Sequence, residues 1–169
     1  NRMGFNIIFD MSYMPRGSVN GIILELTALL TDQNESWNNS LPIQLVDGSY
    51  VYKENQTDLI TTLQNDLGIN SYATAEEAMY WLVDEYDISE ELSAADKLTV
   101  AGVRWEMTRR EYSITTPFTF AEDISIDTVI RIKERSESFP GVEVRETPIR
   151  EYVAGDVASS IIGLVGPMY

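Results

Sequence analysis

The spacing of apolar residues changes from a strand pattern near both ends of the chain to a helical pattern in its middle. Residues 5–10 are a short run of strand-forming residues, and residues 142–150 alternate as a half-buried strand does. Between them, apolar residues recur at intervals of three and four, as one buried helical face requires. Because 44% of the 169 residues are hydrophobic, the chain can bury a sizeable core. We therefore predict the α+β class, with a small mixed sheet and packed helices.

Caps and turns mark where the predicted elements begin and end. Thr74 and Glu77 have the spacing of a capping box, in which each side chain bonds a free backbone N–H of the other residue. Ser93 offers a similar helix start, Gly68 is a typical helix stop, and Pro148 indicates an edge or a bulge in the last strand. The predicted elements are strands over 5–10 and 142–150, a hairpin or strand edge over 46–52, an extended segment over 117–120, and helices over 22–30, 57–67, 74–86, from 93 onward, 125–135 and 155–163.

Two of these helices carry specific predictions for their apolar faces. In the helix that begins at Thr74, we expect Ala78, Trp81, Leu82 and Tyr86 to share one face. The helix over 125–135 is predicted to be amphipathic, and its apolar residues include Ile126, Val129 and Ile130.

Acidic residues are concentrated in one part of the chain. The sequence has 27 Asp and Glu against 12 Lys and Arg, a formal net charge of −15, and residues 54–96 hold eleven acids and no Lys or Arg. We therefore predict an acidic helical lobe at 54–92, inserted into an α+β part made of residues 1–53 and 93–169. The acids lie mainly off the apolar faces, which is typical of a solvated surface. A cation site or a basic partner is the alternative.

Several classes of function are disfavoured by composition. The net negative charge repels nucleic acid, so we expect no nucleic-acid partner. The chain has no His and no Cys, which removes imidazole and thiolate metal ligands and the Ser/His and Cys/His catalytic pairs. Neither an EF-hand loop nor a phosphate-binding glycine loop is present. We therefore expect no metal, no cofactor and no catalytic residue in this chain.

A series of short motifs resembles one known family. Residues 111–125, 129–134, 139–144, 150–152 and 158–166 are similar to the dimerisation, or pedestal, domain of class B penicillin-binding proteins. Residues 1–10 and the leucine-rich helix up to Leu30 resemble the segment that follows the family's amino-terminal Arg-Gly-x-Ile motif, and residues 41–43 also fit. The resemblance covers both ends of the chain and is weakest over 54–92.

The resemblance implies a non-catalytic role. In that family the domain stands on the outer face of the cytoplasmic membrane, below a transpeptidase domain that cross-links peptidoglycan stem peptides through an acyl-enzyme serine. The Ser-x-x-Lys nucleophile pair of penicillin-reactive enzymes is missing here. We therefore expect no activity from this fragment, with an amino-terminal membrane anchor and the catalytic domain lying outside it.

The implied partners are proteins. They are the chain's own transpeptidase domain, a second copy of the chain, and a membrane-embedded glycan polymerase or other division or elongation proteins. A free-standing secreted protein, which uses its acidic lobe to bind cations or a basic partner, is the alternative function.

Eight residues of the family motifs are candidates for interaction or shape: Pro117, Phe118, Pro140, Gly141, Arg150, Tyr152, Gly163 and Gly166. The resemblance implies that Pro140 and Gly141 turn the chain from helix to strand. It also implies that Arg150 and Tyr152 order a loop or a partner, although local pairing with Glu143 or Glu146 is the alternative. Gly163 and Gly166 would allow close packing or a bend on the path to the next domain, or simply end a helix.

Overall fold

The computed structural model describes residues 2–110 and 115–149, and it confirms the α+β class. The helices in this part of the chain are α1 (Val19–Asp32), α2 (Thr57–Leu67), α3 (Ala75–Glu85), α4 (Ala94–Arg109) and α5 (Ile126–Glu134). The strands are β1 (Arg2–Phe9), β2 (Ile43–Val46), β3 (Ser49–Tyr52), β4 (Phe118–Ile124) and β5 (Val142–Ile149). The helix predicted over 155–163 lies outside the described residues.

The main sheet joins strands that are far apart in the sequence. Within the described residues it has three antiparallel strands, and β1 lies between β4 and β5. Phe9 of β1 is opposite Phe118 on one side and Val142 on the other. Pro148 lies on β5, which is an edge strand among the strands the structure describes, so its missing N–H breaks no interior ladder there. The strand positions near residues 5–10 and 142–150 agree with the spacing of the apolar residues, but the described strands pair only antiparallel, whereas we predicted a mixed sheet.

Helix caps and turns agree with the local sequence signals. The Thr74 side chain accepts from the Glu77 backbone N–H, and the Glu77 side chain accepts from the Thr74 N–H, which completes the capping box. Helix α4 begins at Ser93, whose side chain accepts from the Asp96 N–H. Helix α2 ends at Gly68, which has a positive φ of 68°. Strands β2 and β3 form the hairpin predicted over 46–52.

One continuous apolar core joins the main sheet to the helices. Its largest fully buried side chains include Trp105 of α4, Phe9 of β1 and Leu82 of α3. Helix α4 packs against α1 and α3, while α3 also packs against α2 and β3. The helices of the acidic stretch therefore bury their apolar sides in the same core as the sheet. The division into an insert at 54–92 and a surrounding α+β part stays a prediction.

Two predicted apolar faces are wrong in detail. Trp81 is 45% exposed, because α3 packs against β3 as well as α2 and α4, which moves its buried face toward Met79 and Val83. On α5 the buried residues are Thr128, Val129 and Ile132, whereas Ile126 and Ile130 are about half exposed, at 53% and 49%. Both helices are amphipathic. On α3, Ala78, Leu82 and Tyr86 are buried as predicted and only Trp81 is not, whereas on α5 only Val129 of the three predicted residues is buried.

Candidate functional site

Of the candidate residues at the start of β4, one is buried in the core. Phe118 is 1% exposed, and its ring meets the Phe9 ring edge-on at a centroid distance of 5.7 Å. Pro117, immediately before the strand, is exposed. Phe118 therefore anchors β4 to β1, and only Pro117 of this pair can meet a partner.

Pro140 and Gly141 lie in the turn that leads into β5. Gly141 has a φ of 85°, a backbone conformation that side chains with a Cβ rarely adopt. Its carbonyl oxygen accepts a 2.7 Å hydrogen bond from the Asp10 backbone N–H. A Cβ added at Gly141 would lie 2.5 Å from the Cβ of Met14. The turn thus closes tightly over the end of β1, while Pro140 is exposed.

The other four candidates, Arg150, Tyr152, Gly163 and Gly166, lie outside the described residues. Their roles stay predictions. Of the two acids considered as partners for Arg150, Glu143 accepts from Arg145 on the same strand at 3.3 Å.

A set of polar contacts that the sequence did not point to links the segment 33–42 to α4. The carboxylate of Glu106, on α4, accepts hydrogen bonds from the backbone N–H and the hydroxyl of Ser40. Arg110 Nε donates to the other carboxylate oxygen at 2.8 Å, and Arg109 donates to Ser40 Oγ at 2.6 Å. Glu106 is only 4% exposed. Burial raises the pKa of Glu106. The hydrogen bonds from Ser40 and Arg110 and the nearby positive charges lower it by more, so the pKa of Glu106 lies below its ordinary value.

The same segment also bonds β4 and α5. Asn38 donates its backbone N–H to the Phe120 carbonyl and its side-chain N–H to the Thr119 carbonyl, both at 2.8 Å. Glu35 Oε2 accepts from the Ser125 backbone N–H and the Thr128 hydroxyl, at the start of α5. Burial raises the pKa of Glu35, but these hydrogen bonds outweigh it and lower the pKa overall. We call residues 33–42 the strap, because they cover the outer edge of β4.

One signal in the sequence could have found this contact. Glu106 is a single acid within an apolar stretch of helix and has Arg110 four residues later, the spacing of an intrahelical ion pair. The strap side of the contact gave no such signal, because Asn and Ser are common in any polar loop.

Among residues 2–110 and 115–149, the free edge of the main sheet is on β5. Within the described residues, β5 pairs only with β1, so its second edge presents unpaired backbone groups. Two exposed apolar pairs lie on helices: Tyr80 and Trp81 on α3, and Ile126 and Ile130 on α5. Exposed edges and apolar pairs of this kind are typical of protein contact surfaces.

Other kinds of site were sought in the same residues. In 2–110 and 115–149, no group of three or more Asp and Glu is arranged to hold a metal ion. No helix in these ranges is both long enough and apolar enough to cross a membrane.

The family comparison decides between the remaining interpretations. The family model described as the penicillin-binding protein dimerisation domain matches residues 1–169. The chain belongs to this family. The match confirms that the motifs belong to a penicillin-binding protein dimerisation domain, and it also spans residues 54–92, where the resemblance in the motifs is weakest. No curated protein sequence matches the chain.

As a penicillin-binding protein dimerisation domain, the chain is a non-catalytic domain. Its functional surfaces are then surfaces of protein contact. The β5 edge, the α3 pair and the α5 pair are the described features that fit such contacts. The strap and the Gly141 turn bond β4 and the end of β1.

Proposed function

We propose that this chain positions the D,D-transpeptidase domain of a class B penicillin-binding protein on the outer face of the bacterial cytoplasmic membrane. The observation that carries the proposal is the family match over residues 1–169. The fold supports it, because β1, which begins at Arg2, and β5, which ends at Ile149, pair in one sheet, so parts of the chain far apart in sequence share one base. The catalytic serine and the membrane anchor belong to other parts of the parent protein.

Labelling with a fluorescent penicillin tests whether the acylated serine lies outside this chain. We expect the full-length parent to be acylated covalently, and the 169-residue chain to remain unlabelled. The matched control is the parent with the serine of its Ser-x-x-Lys pair changed to alanine, which should lose the label. Covalent labelling of the 169-residue chain, or a parent reading frame without a Ser-x-x-Lys pair, would contradict the proposal.

We also propose self-association or contact with other cell-wall proteins, such as a membrane-embedded glycan polymerase or division or elongation factors. The second edge of β5 supports self-association, since no strand of the described residues pairs with it and such an edge can pair with the same edge of a second copy. Sedimentation velocity over a wide range of concentration tests this. We expect a sedimentation coefficient that rises with concentration. A coefficient that keeps the monomer's value at every concentration would exclude self-association of the chain alone.

The proposed location has its own test. A tagged parent protein in spheroplasts should be digested by an added protease that leaves cytoplasmic marker proteins intact. Protection of the tagged domain until the cells are lysed would place it on the cytoplasmic side of the membrane and contradict the proposed location.

A further inference from the structure

The outward side of α3 carries three pairs of exposed residues in a regular order. They are an acidic pair, an aromatic pair and a second acidic pair: Glu76 and Glu77, Tyr80 and Trp81, Asp84 and Glu85. Residues four apart lie above one another on a helix. The pairs therefore form one stripe, in which each step is about 6 Å along the helix axis. We call these six residues the α3 stripe.

The aromatic pair is exposed although large aromatic rings normally gain by burial. Tyr80 is 65% exposed and Trp81 is 45% exposed. The two rings meet edge-on, with centroids 5.2 Å apart and planes at 87°, so they hold each other in place. A groove of about 240 Å³ lies beside Tyr80 and is also lined by Tyr50, Glu90 and Lys97. The described chain therefore leaves two ordered aromatic rings exposed beside a groove.

The first acidic pair has a fixed position. Glu76 Oε2 accepts a 2.7 Å hydrogen bond from the Tyr50 backbone N–H, which ties α3 to the β2–β3 hairpin. Glu77 is held by the capping box with Thr74. The carboxylates at this end of the stripe are thus preorganised relative to the rings.

The second acidic pair lies where it costs stability. Asp84 and Glu85 are in the last turn of α3, near the negative end of the helix dipole, and no basic residue is there to offset them. Within the described residues neither one forms an ion pair. Residues 54–96 contain no Lys or Arg at all. The exposed rings therefore have carboxylates at both ends of the stripe.

One cation already lies in the adjoining groove. The Lys97 ammonium is 3.4 Å from Glu90 Oε1, in the groove that Tyr50 and Tyr80 also line. An aromatic face with carboxylates on either side suits a Lys or Arg side chain, because the cation is attracted both by the ring and by the acids. Nucleic acid and anionic lipid are repelled by the same charges.

We propose that the α3 stripe binds a protein segment that carries Lys or Arg side chains about one helical turn apart. One basic side chain lies over the Tyr80 and Trp81 rings, and the others meet the carboxylates at the two ends of the stripe. The inference deepens the proposed function, since it names the chemistry of one protein partner of this domain, and it rests on that function.

Titration followed by NMR tests this surface directly. The probe is an alanine-rich helical peptide with Arg at every fourth position, added to the ¹⁵N-labelled 169-residue chain. We expect a saturable shift of the Trp81 indole N–H and of the α3 amides, which added salt weakens. The matched probe, with Gln in place of each Arg, should give no shift. The indole N–H of buried Trp105, which donates to Asp66 at 2.9 Å, reports that the fold is intact.

Paired variants locate the binding energy. Tyr80→Ser with Trp81→Ser should weaken binding of the Arg probe, read from the α3 amides, by about two- to fivefold for each lost cation–π contact. Asp84→Asn with Glu85→Gln should weaken it by a similar factor. The control, Asp127→Asn with Glu134→Gln on α5, removes the same charge and should leave the Kd unchanged.

Three results would overturn the inference. They are a missing shift with the Arg probe, an equal weakening by the α5 control variant, and an equal shift of the Trp81 indole with Ca²⁺ alone, which would indicate a cation site. None of these outcomes affects penicillin labelling of the parent, so failure here is separable from failure of the proposed function.

Discussion

Glu106 on α4 accepts two hydrogen bonds from Ser40, one from its backbone N–H and one from its hydroxyl. The two residues are 66 positions apart, and Glu106 is almost fully buried. Through this contact α4 holds the strap, and the strap covers the outer edge of β4 through Asn38. The hydrogen bonds of Asn38 therefore close a strand edge that would otherwise invite unwanted pairing, and the buried Glu106 carboxylate holds the strap in place at Ser40.

Replacing Glu106 with Gln should lower the free energy of unfolding by about 2 kcal/mol, because charged hydrogen bonds from Ser40 and Arg110 are weakened in a buried place. Urea unfolding followed by circular dichroism measures it. Glu134→Gln, an exposed change on α5, is the control and should shift stability by less than about 0.5 kcal/mol. A double-mutant cycle with Ser40→Ala should show a coupling energy clearly different from zero. Additive losses in the cycle would contradict a direct contact.

Acid should remove the contribution of Glu106 to stability. Its pKa in the folded state is held below the ordinary value, which is about 4.3, so the ionised form stabilises the fold. This stability is fully present above about pH 4.3, and it is lost as the pH falls through the lower, folded-state pKa. The difference in unfolding free energy between the wild type and Glu106→Gln should therefore shrink below about pH 4.3. Melting curves from neutral to acidic pH measure it, and a constant difference would show that Glu106 is not the titrating group.

Adding a methyl group at Gly141 should destabilise the fold more than adding one at Gly48. Both glycines have a positive φ, 85° and 81°, so both alanine variants lose about 1 kcal/mol to backbone strain. Only at Gly141 would the new Cβ collide, since it lies 2.7 Å from Met14 Cα, whereas nothing lies within 4 Å at Gly48. We expect a total loss of about 3 kcal/mol for Gly141→Ala. Thermal unfolding compares the two, and equal losses would mean that Met14 moves aside freely.

Elements whose ends depend on neighbouring residues were predictable from the sequence. The capping box of Thr74 and Glu77, the stop at Gly68 and the hairpin over 46–52 all involve bonds between residues a few positions apart. The caps and propensities that specify these elements depend on residues close in the sequence. The spacing of the apolar residues agrees with them, so both signals predict the same elements.

Contacts between distant segments were not predictable in the same way. Trp81 was assigned to the core because it is three residues from Ala78, but the hairpin that packs on α3 selects the side of Met79 and Val83. The strap is rich in Asn and Ser, which are common in any polar loop and do not indicate a partner. Its bonds to Glu106 depend on the position of α4 in the folded chain, and the sequence near Ser40 does not indicate that position.

Replacing Asn38 with Asp should release the strap from β4. The Asn38 side chain donates to the Thr119 carbonyl at 2.8 Å and to Glu122 at 3.2 Å, and a carboxylate cannot donate to either oxygen. We expect a loss of about 1–3 kcal/mol and faster hydrogen exchange at the Asn38 amide, which bonds the Phe120 carbonyl. The ring of Trp37, stacked on Phe120 at 6.3 Å, should become more exposed and its fluorescence should shift to the red.

The neighbouring residue provides the control for this variant. Asn39 Oδ1 accepts from the Leu41 N–H at 3.0 Å, and an aspartate keeps that acceptor. Asn39→Asp therefore adds the same charge one position away but should change stability by less than about 0.5 kcal/mol. If both variants destabilise equally, charge alone explains the effect. If only Asn38→Asp does so and the Asn38 amide exchanges faster, the edge of β4 is closed by the donated hydrogen bonds of the strap.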